Sequence, residues 1–174
     1  MIYSFCGLTP QISDKAYIAD TATVIGDVIV EADCYVGPGA VIRGDKGSIR
    51  IGEGTAVEDG VIIHAVEGST SCIGTRVVLG HGAIIHGSVD DNAVIGMAAV
   101  VSIGASVGAW AIVGEGSVVK MNQVIEPYVV AVGSPAKAVR KLEERDIALW
   151  DEGKEVYIDL ARKCLNGGLE AVSR

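Results

Sequence analysis

The residues best suited to chemistry in this sequence are its three histidines, His64, His81 and His86, which lie close together in a chain of 174 residues. Neutral imidazole is a common zinc ligand, and three such ligands leave the fourth tetrahedral position open for water or substrate. A lone histidine is more often a solvated or hydrogen-bonded side chain than a ligand. The histidines therefore indicate a metal site only if the fold brings them together.

Charged residues of both signs accompany the histidines in the sequence. The candidates are Arg43, Asp45, Glu58, Asp59 and Glu67. Carboxylates and an arginine beside imidazoles are typical of groups that orient metal ligands or move protons. For Arg43 and Asp45, a salt bridge at an interface between chains is an equally good interpretation.

A repeat of six residues must position these groups. Small residues, mostly alanine, come four positions after most of the repeating aliphatic residues, and aromatic residues make up 5% of the chain. This pattern indicates an all-β solenoid, in which three short strands form one turn of a triangular prism and about six turns stack at the ~4.8 Å strand spacing. The phase breaks at 44–48 and 65–72 are interpreted as outward loops, and a further slip follows Ile85. The repeating positions are Ile12, Ile18, Val24, Val30, Val36, Ile42, Ile51, Val57, Ile63, Ile73, Leu79, Ile85, Val89, Ile95, Val101, Val107, Val113, Val119 and Ile125.

The register of the repeat places the histidines on two faces of the prism. His64 and His86 each follow an inward isoleucine, and they are one full turn apart. We therefore expect them to stack on one face, near enough to share a metal ion. His81 lies two places after Leu79, which puts it on the preceding face near a corner. It should not easily reach the same metal within one chain, but a neighbouring prism packed face to corner could supply it, and three prisms about a three-fold axis would then form three identical sites.

The same counting places the charged residues in two columns. Arg43 is expected one turn before His64, with Asp45 nearby, and Asp59 one turn before His81. The histidines and these residues would then lie together at the boundary between copies.

The end of the chain differs in composition from the repeat. The division falls at Gly133 to Lys137, so we expect a β-helix over residues 1–134 and a helical segment over 135–174. Ser134 is a good helix N-cap and Pro135 suits the first helical turn. Leucine and tryptophan spacing predicts two short amphipathic helices between Pro135 and Leu165, packed on the prism without forming the site. Tyr157 is the one tail residue with a side chain that could reach a site.

Charge and cysteine usage exclude some classes of partner and favour a compartment. The formal net charge of −8 argues against nucleic acid or an anionic membrane as the main partner. No apolar run approaches the ~20 residues of a membrane span, and the first residues do not resemble a signal peptide. The four cysteines are scattered, as is typical of reduced thiols in the cytoplasm.

The histidine segment resembles the γ-class carbonic anhydrase family, and most of all its bacterial subgroup from carnitine and phenylacetate operons. The resemblance covers nearly the whole chain. Its motifs are Arg43-Gly44-Asp45, Glu58-Asp59-Gly60-Val61-Ile62-Ile63-His64, Gly80-His81-Gly82-Ala83-Ile84-Ile85-His86-Gly87 and Ile95-Gly96-Met97. The hexapeptide pattern and the Pro135-Ala136-Lys137 segment are shared with hexapeptide acyltransferases.

The resemblance implies a fold, a metal site and a reaction. The fold is a left-handed parallel β-helix, and the protein is a homotrimer. His64, His81 and His86 bind zinc, or iron or cobalt, between subunits, and Arg43, Asp45 and Asp59 support the interface and the site. The reaction is reversible hydration of CO2 to bicarbonate by a metal-bound hydroxide. Glu67 matches the glutamate that carries the proton away, and Glu58 is expected to orient the hydroxide.

Three departures from the family pattern keep other functions open. Glu58 replaces a glutamine, Lys46 replaces a glutamate, and the acidic loop is shortened to residues 65–72. A metal-dependent acyl-CoA thioesterase, a hexapeptide acyltransferase that uses one histidine as general base, and a non-catalytic trimeric metal-binding scaffold are the alternatives.

Overall fold

In a computed structural model, which describes residues 1–170 and 172, the chain forms a parallel β-solenoid of about seven turns followed by a single α-helix. The predicted fold class, a left-handed parallel β-helix of hexapeptide repeats, is confirmed. The helix, α1, spans Glu144–Lys163. The strands are β1 (Ile2–Tyr3), β2 (Gln11–Ile12), β3 (Tyr17–Ile18), β4 (Thr23–Val30), β5 (Tyr35–Val36), β6 (Val41–Ile51), β7 (Ala56–Val57), β8 (Ile62–His64), β9 (Thr70–Ile73), β10 (Val78–Leu79), β11 (Ile84–Ile85), β12 (Ser88–Val89), β13 (Val94–Ile95), β14 (Val100–Val101), β15 (Ser106–Val107), β16 (Ile112–Val113), β17 (Val118–Val119), β18 (Val124–Ile125), β19 (Val129–Val132) and β20 (Lys137–Lys141).

The strands form three faces. The histidine face contains β1, β8, β11, β14, β17 and the first halves of β4 and β6. The open face contains β2, β9, β12, β15, β18 and the second halves of β4 and β6. The helix face contains β3, β5, β7, β10, β13, β16, β19 and β20, and α1 packs against β5 and β7.

The core consists of the aliphatic residues that the six-residue repeat predicts. From Val24 to Ile125 every predicted inward position is buried, whereas Ile12 and Ile18, at the first turn, are partly buried against the same core. Branched aliphatic side chains fill the narrow prism, and alanines occupy the tight positions between them. This register fixes which side chains point outward, and so it decides where each histidine lies.

The two longer phase breaks have different structures. Residues 44–48, predicted as an outward loop, instead continue the long strand β6 across the corner between two faces, with a register shift opposite Gly26 and Val28. The second break is a projecting turn at Val66–Ser69, followed by β9. In both cases the extra residues leave the inward register of the following turns intact.

The tail corrects the prediction of helix from Pro135. Residues Lys137–Lys141 form β20, which pairs antiparallel with β19 and covers the edge of the last coil. An unpaired strand edge favours such pairing over a helical turn. One helix, not two, follows: Glu143 and Asp146 form a capping box at its start, and Glu143, not Ser134, is the N-cap.

The helix ends close to the predicted stop. A π-helical turn at Cys164–Gly168 follows it, with Gly167 in the left-handed region at a φ of 81°. Residues 171, 173 and 174 of the predicted tail lie outside the described residues. Within the described chain, no helix combines the length and the apolar character that a membrane crossing needs.

Candidate metal centre

His64 and His86 lie side by side on the histidine face. Ile62 and Ile63 in β8 pair with Ile84 and Ile85 in β11, and both inward isoleucines are fully buried. The residue after each therefore points outward from neighbouring coils. The two imidazole centroids are 5.1 Å apart, with ring planes at 82° to each other. Nitrogens on rings so placed are close enough to bind one cation.

His86 has the protonation state that a metal ligand needs. Burial first, and then the nearby His64 and Arg43, lower its pKa below the usual range, so the ring is neutral at pH 7. Its Nδ1 atom is buried and has no hydrogen-bond partner among the described residues. A buried polar atom without a partner calls for an explanation, and a bound cation is one.

Arg43 and Asp45 support His64 from the preceding coil. Arg43 pairs with His64 in the ladder between β6 and β8. Asp45 accepts a hydrogen bond from Arg43 at 2.7 Å and lies 3.1 Å from Nε2 of His64. Burial alone would raise the pKa of Asp45, but the hydrogen bonds from Arg43 and His64 outweigh it and lower the pKa. Asp45 is therefore ionised, and it can hold the Nε2 proton of His64 so that Nδ1 keeps its lone pair.

His81 lies at the corner between the helix face and the histidine face. Gly82, with a φ of 69°, turns the chain immediately after it. Within its own chain the His81 ring contacts Glu58, with Nε2 3.0 Å from the carboxylate, and Asp59, with Nδ1 3.5 Å from the carboxylate. Its side chain is 47% exposed. One chain thus pairs two histidines and presents the third at a separate, exposed corner.

Glu58 and Asp59 belong to the corner of His81. Gly82 donates a backbone hydrogen bond to the carbonyl of Asp59, so Asp59 lies one coil before His81, as the register predicts. Glu58 is 5% exposed, and its carboxylate also accepts the backbone N–H of His81 at 3.0 Å. In a single chain these two carboxylates are grouped with His81 and not with Arg43 and Asp45.

Helix α1 contributes Tyr157 to the same corner. Burial first, and then the charge of Glu58 and a hydrogen bond to it, raise the pKa of Tyr157. The Tyr157 ring lies 5.5 Å from the ring of Tyr35, which stacks on Tyr17. The tail therefore does more than pack on the prism, because it places a hydroxyl against a candidate site residue.

Glu67 lies on the projecting turn that follows His64. Ser69 closes this turn by donating from its backbone and its hydroxyl to the carbonyl of Val66. Glu67 is exposed and makes no hydrogen bond or ion pair within the described chain. Lys46 is also exposed, on β6. Neither contacts a histidine of its own chain.

An apolar stripe runs beside the histidine pair and was not identified in the sequence. The stripe consists of five residues, each of which directly precedes an inward residue and points out of the prism. They pair with one another from strand to strand, and Ile62 is 40% exposed. The equivalent positions on the open face are Arg50, Cys72, Ser88, Ser106 and Val124. The members of the stripe are Val41, Ile62, Ile84, Val100 and Val118.

Sequence comparisons reveal relatives over most of the chain, although no protein-family model matches it. The carnitine operon protein CaiE of Salmonella agona is 36% identical over 166 residues, which are 95% of this chain and 84% of that protein. CaiE of Escherichia coli K12 is also 36% identical, over 163 residues. Gamma carbonic anhydrase 2, a mitochondrial protein of Arabidopsis thaliana, is 36% identical over 161 residues, 88% of this chain and 58% of that protein.

Solved structures share the fold over almost the full length. A putative acetyltransferase of Bacillus cereus has a TM-score of 0.93 and 31% identity, and it covers 95% of this chain and 97% of its own. A hexapeptide transferase family protein of Anaplasma phagocytophilum has a TM-score of 0.89 and 30% identity over 93% of this chain and 96% of its own. The chain belongs to the family of hexapeptide-repeat proteins that includes CaiE and the γ-class carbonic anhydrases.

Proposed function

We propose that this chain is a γ-type carbonic anhydrase, which hydrates CO2 reversibly to bicarbonate at a divalent metal held between subunits. The ligands would be His64 and His86 of one chain and the partner subunit's His81. The observation that carries the proposal is the stacked pair of His64 and His86, since it includes a neutral ring with a buried nitrogen that has no partner among the described residues. Two imidazoles are too few for a zinc site, so a third ligand is required.

The third ligand is proposed to come from a second copy. Within one chain, the described residues bring no three histidine, cysteine, aspartate or glutamate side chains into a metal-binding group. Among residues 1–170 and 172, no helix or strand covers the apolar stripe beside the pair, whereas α1 covers part of the helix face. Met97, at the corner of His81 and one coil later, is 50% exposed and supplies apolar surface to pack against the stripe.

This contact joins two different surfaces, a face of one prism and a corner of the next. A head-to-tail contact of this kind closes into a ring when the rotation allows it. We propose a ring of three prisms, so that each of the three boundaries contains one complete set of histidines. The trimer and the metal site then form together.

The donor set fits a divalent metal of intermediate softness. Zinc is the proposed ion, and iron or cobalt accept the same imidazole ligands. When bound, such an ion would act as a Lewis acid and lower the pKa of a water molecule bound to it toward neutrality. The chain's own residues then hold the ligands: Arg43 and Asp45 fix the orientation of His64, and Asp59 would accept the Nδ1 proton of His81, so that Nε2 of that ring leaves Glu58 and binds the metal.

Glu67 is proposed to carry the proton that CO2 hydration releases. It is exposed on the turn that follows His64, where it can exchange protons with solvent. Glu58 is proposed to orient the attacking water from the partner's side of the boundary. As a glutamate in place of the family's glutamine, it has a carboxylate that accepts hydrogen bonds and no amide that donates them.

Chemistry on acyl-CoA is the second candidate. Two solved structures that share the fold over most of this chain are a hexapeptide transferase family protein and a putative acetyltransferase, at 30% and 31% identity. Such an acyltransferase would need a histidine base and no metal, and a thioesterase would use the same metal on a thioester. A trimer that binds metal without turnover is the remaining alternative.

One set of assays on a single preparation separates these functions. Metal content would be measured by mass spectrometry, and the same sample would be assayed for CO2 hydration by stopped flow and for acyl-CoA hydrolysis and transfer. The proposal predicts one metal per chain and CO2 hydration that is lost on chelation. Metal-bound protein that hydrolyses acyl-CoA and leaves CO2 unchanged would refute it in favour of the thioesterase.

A further inference from the structure

Among the described residues, the Glu58 carboxylate contacts His81 twice and Tyr157 once. It accepts the backbone N–H of His81 at 3.0 Å and lies 3.0 Å from Nε2 of the same ring. The third contact is with the hydroxyl of Tyr157 on α1. A metal at Nε2 of His81 would remove the second contact, because a ring nitrogen that binds a metal has no proton to donate. Glu58 would then depend on the backbone N–H and on Tyr157.

The position and the residue type make Glu58 sensitive to the loss of a donor. Its side chain is buried, so water replaces a lost partner poorly. A carboxylate only accepts hydrogen bonds, whereas a glutamine amide carries a donor of its own and no charge. A buried charge without donors costs far more free energy than a buried neutral group. A hydroxyl beside Glu58 therefore matters more than the same hydroxyl would beside a glutamine.

Tyr157 is held in place before it meets Glu58. Its ring lies 5.5 Å from the ring of Tyr35. Lys154 and Ile158, which lie three residues before it and one after it on α1, are buried. The helix packs against β5 and β7, and Glu58 directly follows β7. Because the Tyr157 side chain is already ordered, its hydrogen bond to Glu58 costs little further conformational entropy.

We infer that Tyr157 is a positioning residue of the metal site: its hydroxyl holds the Glu58 carboxylate, so that Nε2 of His81 is free to bind the metal. Without that hydroxyl, the His81 ring would be the one side-chain donor left to Glu58 among the described residues, and metal binding would break this contact without compensation. The inference rests on the proposed function for the metal and for His81 as its ligand. It does not depend on the reaction that the metal performs.

The inference is tested by the zinc affinity of the assembled protein, measured by competition with a chromophoric chelator at pH 7.5. Tyr157→Phe removes the hydroxyl and keeps the ring. We expect it to bind zinc about tenfold more weakly, at the lower end of the roughly 10–100-fold loss that is usual for partners of metal ligands. Tyr35→Phe is the matched control, because it removes the neighbouring hydroxyl of the same ring stack, and it should bind zinc like the parent. Parent-like zinc affinity in Tyr157→Phe would overturn the inference.

A second background separates positioning of Glu58 from anchoring of α1. In Glu58→Gln a neutral amide replaces the carboxylate, so adding Tyr157→Phe should change zinc affinity by less than about threefold. An equal loss of zinc affinity in both backgrounds, with a lower urea midpoint of unfolding in both, would show that Tyr157 only anchors the helix and would overturn the inference.

The parent would be assayed for CO2 hydration on the same preparation. Zinc binding that depends on Tyr157 only when residue 58 is glutamate, together with no CO2 hydration, would support the inference and refute the proposed function. A parent that binds no zinc would refute both.

Discussion

The orientation of His64 by Asp45 yields a prediction of defined size. Asp45→Asn keeps the shape of the side chain, and its carbonyl oxygen can still accept a neutral hydrogen bond from Nε2 of His64, whereas its NH2 group then faces the Arg43 donor and that hydrogen bond is lost. Hydrogen bonds to charged groups contribute ~1.5–3 kcal/mol and neutral ones ~0.5–1.5 kcal/mol. The variant therefore loses about 1–1.5 kcal/mol, which corresponds to about tenfold weaker zinc binding. Asp45→Ala removes the contact entirely and should weaken binding by up to about 100-fold.

Zinc affinity would be measured by competition with a chromophoric chelator at pH 7.5, with trimer content checked by light scattering on the same samples. Asp20→Asn is the matched control, because Asp20 is exposed and lies outside the candidate site. Parent-like zinc affinity in Asp45→Asn would refute the positioning role. A loss of zinc explained wholly by dissociation of the trimer would instead make Asp45 an interface residue alone.

Three further predictions concern the proton, the interface and the core. Glu67→Ala should keep its metal but turn over more slowly, and imidazole buffer should restore part of the rate in stopped flow; parent-like turnover without buffer would show that Glu67 carries no proton. Ile84→Asp should yield a folded monomer without metal, whereas Val124→Asp, on the open face, should remain trimeric in light scattering. Lys154 is buried and has its pKa lowered to about 8. The folded state therefore releases this proton at a lower pH than the unfolded state does. Between pH 8 and 10.5, urea titrations should show the parent gaining up to about 3 kcal/mol of unfolding free energy relative to Lys154→Met. A stability difference that does not change with pH would contradict the lowered pKa.

The repeat was predictable because one physical constraint recurs at every turn. Each inward position from Val24 onward must fill the same narrow prism, so the sequence repeats a branched aliphatic residue there. The positions of His64 and His86 follow from that register. The tail carries no such repetition. Val139 and Leu142 fit a helical period, but the open edge of β19 draws residues 137–141 into a strand, and this depends on a tertiary contact.

The surroundings of the site were less predictable than its column of histidines. The contact between Asp45 and His64 depends on β6 continuing across a corner where the sequence suggests a loop. The meeting of Tyr157 with Glu58 depends on how α1 packs over the helix face, which local periodicity does not determine. In the sequence, the apolar stripe consists of the residue before each inward aliphatic residue on one face. These residues are recognised as a distinct surface only when they are compared with the equivalent positions on the open face.

The proposal that the metal is shared between chains can be tested most directly by mixing two inactive variants. His64→Ala lacks a ligand of the pair, and His81→Ala lacks the ligand from the corner, so each trimer alone should be nearly free of metal. When equal amounts are unfolded and refolded together, a boundary is complete only where a His81→Ala chain supplies the pair and a His64→Ala chain supplies the corner. Random assembly gives about one quarter of the parent's metal content, by the statistics of a three-membered ring. Mixed trimers that remain free of metal, or a His81→Ala protein that keeps its full metal content alone, would contradict the account.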